Sequence, residues 1–296
     1  MFSFTKSGVH LCGEEEVGLD CRHENVFISH AHADHAFSSK KSKRVMASDA
    51  TLDLLKTRGF SLAGERWNNG FQLLRAGHVL GALQLRAELD GCVCTYAPDF
   101  KLSDSLTVKG AEMRSCDDLV VDGTFASPEF VFPPRETVYD QIGKWAKANE
   151  AAGVITVFGG YALGKAQELV ACLNEYAAIT PLVSGETAEL CRAYLRHGIP
   201  LDFLAAESDE GRAALKGAFT AVLPMNRVGR PLASRLKQFY GRKVRTAVAT
   251  GWALCRPFAT DGQFALSDHA DSLELKKFVE GTGAKRVYSE KGARLA

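Results

Sequence analysis

Residues 26–35 have the sequence VFISHAHADH, in which a short apolar strand is followed by three histidines and one aspartate. Alternate residues leaving a strand point to the same side, so we expect His30 and His32 to bind one cation together. Asp34 and His35 follow where the chain turns, and they can face a second cation or a water on the metal. Imidazole nitrogen combined with carboxylate oxygen suits zinc, with manganese and iron as alternatives. The loop therefore predicts a metal centre, because a purely structural role gives no reason for four polar side chains of these types to cluster within six residues.

A catalytic metal needs at least one ligand beyond this loop, and two segments offer candidates. His78 lies between two glycines in Ala76–Gly81, within a stretch whose sequence otherwise favours a strand. Asp99 ends the strand predicted from Cys92 onward. A lone histidine or turn aspartate in such a place more often has a structural role. The order of the two residues along the chain, and their context, favour metal ligation for both.

A further histidine lies in a polar setting near the C-terminus. The segment Leu266–Asp271 has the sequence LSDHAD, which places His269 among acids and hydroxyls. Nearby carboxylates stabilise the protonated imidazole that a general acid requires. An isolated histidine beside a helix start is usually a capping or solvated residue, so the functional interpretation depends on the surrounding acids.

A glycine-rich stretch, GGYALGKA over Gly159–Ala166, follows another predicted strand. Its spacing fits a phosphate-binding loop, but Ala166 stands where a serine or threonine would reach magnesium. An ATP-binding function is therefore disfavoured. A glycine-rich helix start can still bind a nucleic-acid phosphate through its backbone N–H groups, and a purely structural helix start is an equal alternative.

Short apolar strands bounded by turn residues alternate with helices, which predicts an α/β fold. Helices are predicted from Pro133-Pro134 to Gly153, along the stripe Leu163, Ala166, Val170 and Leu173, over Glu186–Arg196, and from Asp271 with Glu274 completing its cap. Composition changes near Gly153 and again near Gly251, so the middle of the chain is a candidate inserted subdomain.

The net charge of +1 hides an asymmetry along the chain. Residues 211–260 contain no acid and ten basic side chains, which leaves 26 basic against 35 acidic residues elsewhere. A block of like charges is often only a solvated surface. In a chain otherwise so balanced, however, this block favours a polyanionic ligand.

The composition, 46% hydrophobic and 24% charged over 296 residues, is that of a globular protein rather than a disordered one. No apolar run approaches the roughly 18–20 residues of a membrane span. Acids at Glu14–Glu16 stand where a signal peptide would need its apolar centre. The eight cysteines lack the spacing of a disulfide scaffold. These features predict a cytoplasmic protein with free thiols and no membrane association.

Taken together, the motifs resemble those of the metallo-β-lactamase-fold nucleases with a β-CASP insertion, and the likeness runs nearly end to end. The segments that carry it are HAHADH at 30–35, AGHVLGALQ at 76–84, YAPDF at 96–100, DGTF at 122–125 and LSDHAD at 266–271. YALGKAQ at 161–167 and Gly251-Trp252 add a resemblance to exonucleases known as ligase-associated DNA exonucleases or mRNA 3′-end processing factors. The first loop alone fits many hydrolases, whereas the loop together with SDHAD is specific.

One family motif departs from the pattern. The third β-CASP motif often ends in His-Gly, with that histidine on the second metal, and here Lys291 stands before Gly292. The DNA cross-link-repair branch also lacks this histidine. The resemblance then implies a weaker second metal, bound by Asp34, His35 and Asp99 only. Alternatively, the Lys291 ammonium faces the scissile phosphate, or the protein is catalytically impaired.

By this resemblance the fold is an αββα sandwich, in which two β-sheets lie between helices. Residues 1–153 and 251–296 would form the metallo-β-lactamase domain, with an inserted β-CASP α/β subdomain over 154–250. The active site is expected in the groove between the two.

The resemblance also implies a metal-dependent phosphodiester hydrolase, an exonuclease of single-stranded DNA or RNA in DNA repair or RNA 3′-end processing. The implied cofactor is Zn²⁺, as one or two ions, with Mn²⁺ or Mg²⁺ as alternatives at the second site. The implied ligands are His30, His32, Asp34, His35, His78 and Asp99. Asp34 would orient or deprotonate the attacking water, and His269 would protonate the leaving oxygen while Asp122 holds its imidazole. Contacts to the nucleic-acid backbone are expected from Lys165, Arg227, Arg230, Arg235, Lys237, Arg242, Lys243 and Lys291.

Three other functions fit parts of the sequence. A thioester or lactam hydrolase uses the same histidine loop, but has no use for SDHAD or for an acid-free block. An ATP-binding protein would be built on Gly159–Lys165. A nucleic-acid-binding homologue without activity would account for Lys291.

Overall fold

The computed structural model describes residues 1–37, 41–68 and 70–295. The chain divides into two compact units. Unit 1 comprises Met1–Asp104, Val108–Val131 and His269–Ala296, and unit 2 comprises Ser105–Thr107 and Phe132–Asp268. Each unit contains strands and helices, which confirms the predicted α/β class.

Strands and helices are numbered in the order in which they follow one another along the chain. The strands are β1 (Phe2–Thr5), β2 (Gly8–Cys12), β3 (Glu16–Leu19), β4 (Asn25–Phe27), β5 (Arg44–Met46), β6 (Glu65–Arg66), β7 (Gln72–Arg75), β8 (Leu83–Leu89), β9 (Cys92–Ala97), β10 (Asp118–Val121), β11 (Ile155–Gly160), β12 (Leu182–Val183), β13 (Leu204–Ala205), β14 (Thr220–Pro224), β15 (Val244–Ala249), β16 (Gly262–Phe264) and β17 (Arg286–Ser289). The helices are α1 (Asp49–Thr57), α2 (Arg135–Ala151), α3 (Lys165–Cys172), α4 (Glu186–Arg196), α5 (Asp209–Ala214), α6 (Arg230–Tyr240) and α7 (Ser272–Thr282). A π-helical turn follows α3 at Leu173–Ala177, and short 3₁₀ turns occupy Met225–Arg227 and Gly251–Leu254.

Unit 1 contains two mixed sheets, with strand orders β1-β2-β3-β4-β5-β6 and β17-β10-β9-β8-β7. In the first sheet, β3 to β6 pair in parallel. In the second sheet, β10 pairs in parallel with both β9 and β17. Parallel strands end at the same edge of a sheet, so the residues that follow β9, β10 and β17 lie side by side.

The core of unit 1 is shared by its two sheets. One hydrophobic cluster joins Phe27 of the first sheet to Tyr96 and Val120 of the second. Successive residues of a strand face opposite sides, and Leu119 accordingly belongs to another cluster, which includes Phe278 of α7. Each large apolar side chain buried in this way contributes roughly 1.5–3 kcal/mol. Both faces of the second sheet are therefore covered.

Unit 2 is built on one parallel sheet with the strand order β13-β12-β14-β11-β15-β16. Its strand β11, with the sequence ITVFGG, is buried at every position. A continuous apolar run is typical of a parallel strand that is covered on both faces. Trp145 of α2 packs against Phe158 and Phe264, which fixes α2 to this sheet.

All four predicted helices are present, and α4 has the predicted bounds. At α7, the carboxylate of Asp271 accepts hydrogen bonds from the backbone N–H groups of Leu273 and Glu274, as an N-cap does. The predicted return contact from the Glu274 side chain is wrong. That carboxylate instead accepts hydrogen bonds from the N–H groups of Leu102 and Ser103, because it packs over the loop after Asp99.

Two further sequence assignments differ from the structure. The stretch around His78 is a turn between the antiparallel strands β7 and β8, where Gly77 and Gly81 adopt φ values of +73° and +77°. Helix α2 and strand β16, which the sequence interpretation placed in the first domain, cluster with unit 2 because they pack on its sheet. None of the described helices is both long and apolar enough to cross a bilayer.

Candidate metal centre

The predicted metal ligands of unit 1 all lie in loops that follow strands or connect them. His30, His32 and His35 follow β4, and Asp99 follows β9. His78 lies in the turn between β7 and β8. The structure therefore collects onto one spot side chains that are up to 69 residues apart in the sequence (from 30 to 99).

His30, His32, His78 and Asp99 form a compact donor set. The Nε2 atoms of His30 and His78 lie 3.1 and 2.9 Å from Nδ1 of His32. The same two Nε2 atoms lie 3.3 and 3.2 Å from Oδ2 of Asp99. One donor atom from each residue lies within 4.8 Å of all the others. Three imidazole nitrogens and one carboxylate oxygen converging in this way fit a transition-metal ion such as Zn²⁺.

Asp20, which the sequence analysis did not single out, orients two of these histidines. Its carboxylate accepts hydrogen bonds from the Ser29 hydroxyl at 2.6 Å and from Nδ1 of His35 at 2.9 Å. Since the Ser29 hydroxyl proton is directed to Asp20, the Ser29 oxygen accepts from Nδ1–H of His30 at 2.9 Å. In their neutral forms both imidazoles then present Nε2 as a lone pair, the arrangement that metal-binding histidines usually show.

A second set of donors lies next to the first. A ring nitrogen of His35, a carboxylate oxygen of Asp99 and one of Glu290 lie within 4.8 Å of one another, and Nε2 of His35 lies 3.8 Å from Oδ1 of Asp99. Glu290 Oε1 is buried and has no hydrogen-bond partner among residues 1–37, 41–68 and 70–295. An orphaned buried carboxylate oxygen is costly unless a cation satisfies it. The site therefore fits a second metal ion shared through Asp99.

Glu290 is not among the ligands predicted from the sequence, although it is adjacent to Lys291. Val121 of β10 pairs with Ser289 of β17, so the next residues, Asp122 and Glu290, leave the sheet side by side. The pattern that could have identified Glu290 as a candidate ligand is its position directly after a short strand, β17. Lys291 itself is exposed.

His269 and Asp122 form a close pair. Nδ1 of His269 donates to Oδ2 of Asp122 at 2.7 Å. Thr124 holds the other oxygen of Asp122, through its N–H at 2.8 Å and its hydroxyl at 2.6 Å. The ring of His269 lies 4.6 Å, centroid to centroid, from that of His78. Its imidazole is thus fixed beside the donor set with Nε2 as the remaining nitrogen.

Asp34 differs from the other acids of the site in its exposure. Its side chain is 78% exposed, and its carboxylate lies 3.8 Å from Nε2 of His35. The position of Asp34 at the solvent side of the loop suits contact with water or with an incoming ligand.

Buried polar contacts hold the loops that present His78 and Asp99. Lys101 is 1% exposed, and its ammonium donates to the carbonyl oxygens of Gly77 and His78. A Cβ on Gly77 would meet the carbonyl oxygen of Lys101 at 2.5 Å, so only glycine permits this close approach. The turn around His78 is therefore locked to the loop after Asp99.

The electrostatics of the site are those of a cation-binding cluster. Burial disfavours a charged Asp99, but the imidazoles of His269, His78 and His30 hold its pKa well below the usual range. Burial also opposes charge on His35, yet Asp20 and Asp99 raise its pKa to about 10. Burial, then the charge of Asp99, raise the pKa of Glu290 to about 8. The ionised form of each carboxylate is thus stabilised only where a positive charge faces it. A bound metal ion would supply such a charge.

The predicted nucleic-acid contacts of unit 2 fall into two groups. The residues on the exposed surface are Arg227, Arg230, Arg235, Lys237, Arg242 and Lys243. Three of them, Arg230, Arg235 and Lys237, lie on α6, a helix without a single buried residue. These three basic side chains are exposed on the helix and available to a polyanion.

Lys165 is different, because it is only 1% exposed. Its ammonium lies 2.6 Å from a carboxylate oxygen of Glu168 and 2.9 Å from one of Asp268. Gln167 accepts the N–H of Gly164 at 2.7 Å, so the chain itself caps this end of α3. The Lys165 ammonium is therefore engaged inside unit 2 rather than presented to a phosphate.

Comparison with curated proteins gives relatives along most of the chain, whereas no family model matches it. A "Probable DNA ligase" of Opitutus terrae is 28% identical over 90% of this chain and 26% of its own length. An "RNase J-like protein" of Methanocaldococcus jannaschii is 26% identical over 51% of this chain and 43% of its own length. The human "DNA cross-link repair 1A protein" is 25% identical over 88% of this chain and 27% of its own length. The chain thus spans between about a quarter and under half of these relatives.

These relatives belong to the β-CASP metallo-β-lactamase family, and this chain is homologous to them. The resemblance drawn from the histidine loop and SDHAD is thereby confirmed. Among solved structures, a protein of unknown function from Enterococcus faecalis superimposes with a TM-score of 0.56 and 13% identity. That match covers 89% of this chain and 74% of the other, and it supports the fold alone.

Proposed function

We propose that this protein is a metal-dependent nuclease, an exonuclease that hydrolyses phosphodiester bonds in single-stranded DNA or RNA. The observation that carries the proposal is the convergence of two donor sets with the His269–Asp122 pair in unit 1. The names of the relatives, which include DNA repair proteins and ribonucleases, support the same class of reaction.

The donor chemistry assigns the ligands. His30, His32, His78 and Asp99 would hold the first ion, for which Zn²⁺ is the best fit. His35, Asp99 and Glu290, with Asp34 at the solvent side, would hold a second ion, with Mn²⁺ or Mg²⁺ as alternatives. When bound, such ions would neutralise phosphate charge and lower the pKa of a water molecule, so that hydroxide is available as the nucleophile at neutral pH.

The chain's own residues would move the protons. The exposed carboxylate of Asp34 orients or deprotonates the attacking water. His269 donates Nδ1–H to Asp122, so its Nε2 is the nitrogen that can pass a proton to the leaving oxygen. Asp122 is itself fixed by Thr124 and therefore stabilises the imidazolium in one orientation. Glu290 supplies a carboxylate where the family histidine is absent, which argues against an impaired homologue.

The same proposal extends to the domains. The two sheets of unit 1 with α1 and α7 would form the αββα sandwich of the metallo-β-lactamase domain. Unit 2 would be the β-CASP insertion, with its exposed basic residues binding the phosphate backbone through charge. A DNA substrate is favoured because the segment similar to this chain in the Opitutus relative is part of a protein named as a DNA ligase.

End-labelled single-stranded DNA, double-stranded DNA and RNA, each incubated with Zn²⁺, Mn²⁺ or Mg²⁺, test the proposal. We expect cleavage by the wild type, and its loss in His269→Ala and Asp34→Ala with the circular dichroism spectrum unchanged. His197→Ala, a histidine of unit 2 outside the site, is the matched control and should cleave normally. Undiminished cleavage by Asp34→Ala and His269→Ala would reject the assigned site, and absence of cleavage by the wild type with every metal would reject the activity.

A further inference from the structure

A third group of potential ligands lies on the hairpin formed by β2 and β3 and in the loop after it, and it shares no residue with the two donor sets described above. His10 of β2 pairs in register with Gly18 of β3, and Cys12 pairs with Glu16. Residues two apart on a strand share a face, so Glu16 lies diagonally beside His10. The hairpin therefore presents an imidazole and a carboxylate on one side.

The loop after β3 adds a second imidazole to this face. A Cβ on Gly18 would lie 2.6 Å from Cβ of His23, so the glycine makes the room that brings His23 over the strand. The ring centroids of His10 and His23 are 5.6 Å apart and their planes are nearly perpendicular, at 85°. The two rings thus pack edge to face rather than stacking.

The donor atoms converge although one of them lacks a hydrogen bond. Nδ1 of His10 lies 2.7 Å from Oε1 of Glu16, and Nε2 of His23 lies 4.0 Å from the same oxygen. His10 is only 6% exposed, and within the described part of the chain its Nδ1 has no partner with hydrogen-bond geometry. One ligand atom from each of His10, Glu16 and His23 lies within 4.8 Å of the other two, and a buried nitrogen without a hydrogen bond is satisfied when a cation binds it.

The remaining nitrogens of both rings have polar neighbours. Nε2 of His10 lies 3.1 Å from the Ser7 hydroxyl. Nδ1 of His23 accepts the N–H of Asn25 at 3.1 Å and also lies 3.0 Å from the carbonyl oxygen of the same residue. In the tautomer protonated at Nδ1, that nitrogen donates to the carbonyl oxygen instead, and Nε2 of His23 becomes the ligand nitrogen.

We propose that His10, Glu16 and His23 form an additional binding site for a divalent transition-metal ion of the Zn²⁺ type. Two imidazoles and one carboxylate are a common zinc ligand set, with water in the fourth position. The side chains of Glu16 and His23 are 49% and 24% exposed, which leaves that position open to solvent. Cys21 is not a ligand, since its sulfur lies near Nε2 of His10 and donates to the carbonyl of Val9.

The ion at this site stabilises the loop that leads into the candidate metal centre. It joins β2, β3 and the segment that ends at His23, and Asp20 lies within that span. Asp20 is the residue that orients His35 and, through Ser29, His30. An ion that binds only the folded chain raises its stability by mass action. The role of the ion follows from the segment that it holds, so its ligands are positioning rather than catalytic residues.

Metal content measured by mass spectrometry on tag-free protein, equilibrated with excess Zn²⁺ and desalted, tests the site directly. His23→Gln and Glu16→Gln should each contain one equivalent less than the wild type, and the double variant should lose no more than either. His197→Ala should keep the wild-type content. Wild-type content in His23→Gln would overturn the proposal, whether or not the protein proves to be a nuclease.

A second measurement needs no variant. Diethyl pyrocarbonate modifies accessible neutral imidazoles, and His23 is partly exposed. Modification of His23, followed by peptide mass spectrometry, should fall at least tenfold when Zn²⁺ is added to the metal-free wild type, with His197 unaffected. Equal modification of His23 with and without Zn²⁺ would overturn the proposal even if the variants failed to fold.

Discussion

Replacement of Lys165 with methionine should destabilise unit 2 rather than weaken nucleic-acid binding directly. The Lys165 ammonium is buried between Glu168 and Asp268, at 2.6 and 2.9 Å. Removing one partner of a buried ion pair costs about 3–5 kcal/mol, because the other charge stays buried. Arg135 also pairs with Glu168, and lies 3.7 Å from Asp268, so part of the compensation survives the change. We therefore expect a loss near the lower limit, about 3 kcal/mol.

Urea denaturation followed by circular dichroism measures this loss, which is a large fraction of the 5–15 kcal/mol typical of a domain. Lys144→Met is the matched control, because Lys144 pairs with Asp140 at 2.6 Å on α2 but is 76% exposed. Exposed pairs contribute little, so this control should keep the wild-type midpoint. In a double-mutant cycle, Lys165→Met with Glu168→Met should cost less than the sum of the single changes. A wild-type midpoint for Lys165→Met together with weaker binding of a labelled single strand would refute the structural role.

Four further outcomes are expected. Glu290→Gln should raise the Mn²⁺ or Mg²⁺ concentration that gives half-maximal cleavage by on the order of tenfold, since the second donor set keeps the carboxylate of Asp99 but loses that of Glu290; an unchanged metal titration would exclude Glu290 as a ligand. Asp122→Asn should lower kcat by roughly 10²–10⁴ with KM little changed, because the His269 imidazolium loses its carboxylate; an unchanged kcat would show that the pair is not catalytic. Asp271→Ala should lower the free energy of unfolding by about 1 kcal/mol through loss of the α7 cap, and a wild-type urea midpoint would contradict that role. Chelation should lower Tm and Zn²⁺ should restore it, whereas a Tm indifferent to both would argue against any bound ion.

The sequence predicted those elements whose local pattern is strong. Helix α4 has an apolar face and a following glycine, and its predicted bounds are the observed ones. Helix α6 is not among the predicted helices, although Leu232, Leu236 and Tyr240 recur along it at helical spacing. The apolar sequence VLGAL after His78 favours a strand, but two glycines with positive φ place this stretch in a connection between strands. Elements with a strong local sequence pattern could thus be predicted, whereas elements that depend on tertiary contacts could not.

The candidate site shows the same division. The loop at 30–35 could be assigned because its ligands are close in sequence, and Asp99 and His78 because of the family resemblance. Glu290 escaped because its position depends on the parallel pairing of β10 with β17, between residues 168 positions apart (from 121 to 289). No local pattern contains that register. The family resemblance places the expected histidine at Lys291, one residue after Glu290.

Asp20 connects the chemistry of the site to the architecture of unit 1. Its carboxylate accepts four hydrogen bonds, from the N–H and hydroxyl of Ser29, from His35 and from the hydroxyl of Tyr96. Ser29 and His35 follow β4 of the first sheet, whereas Tyr96 belongs to β9 of the second. One buried acid therefore fixes the histidine loop to the strand that delivers Asp99. Ligands held in this way need little reorganisation when a cation arrives, because the folding of the two sheets has already placed them. The packing of the two sheets therefore determines the geometry of the metal centre. The sequence motifs identify only the residues that supply its ligands.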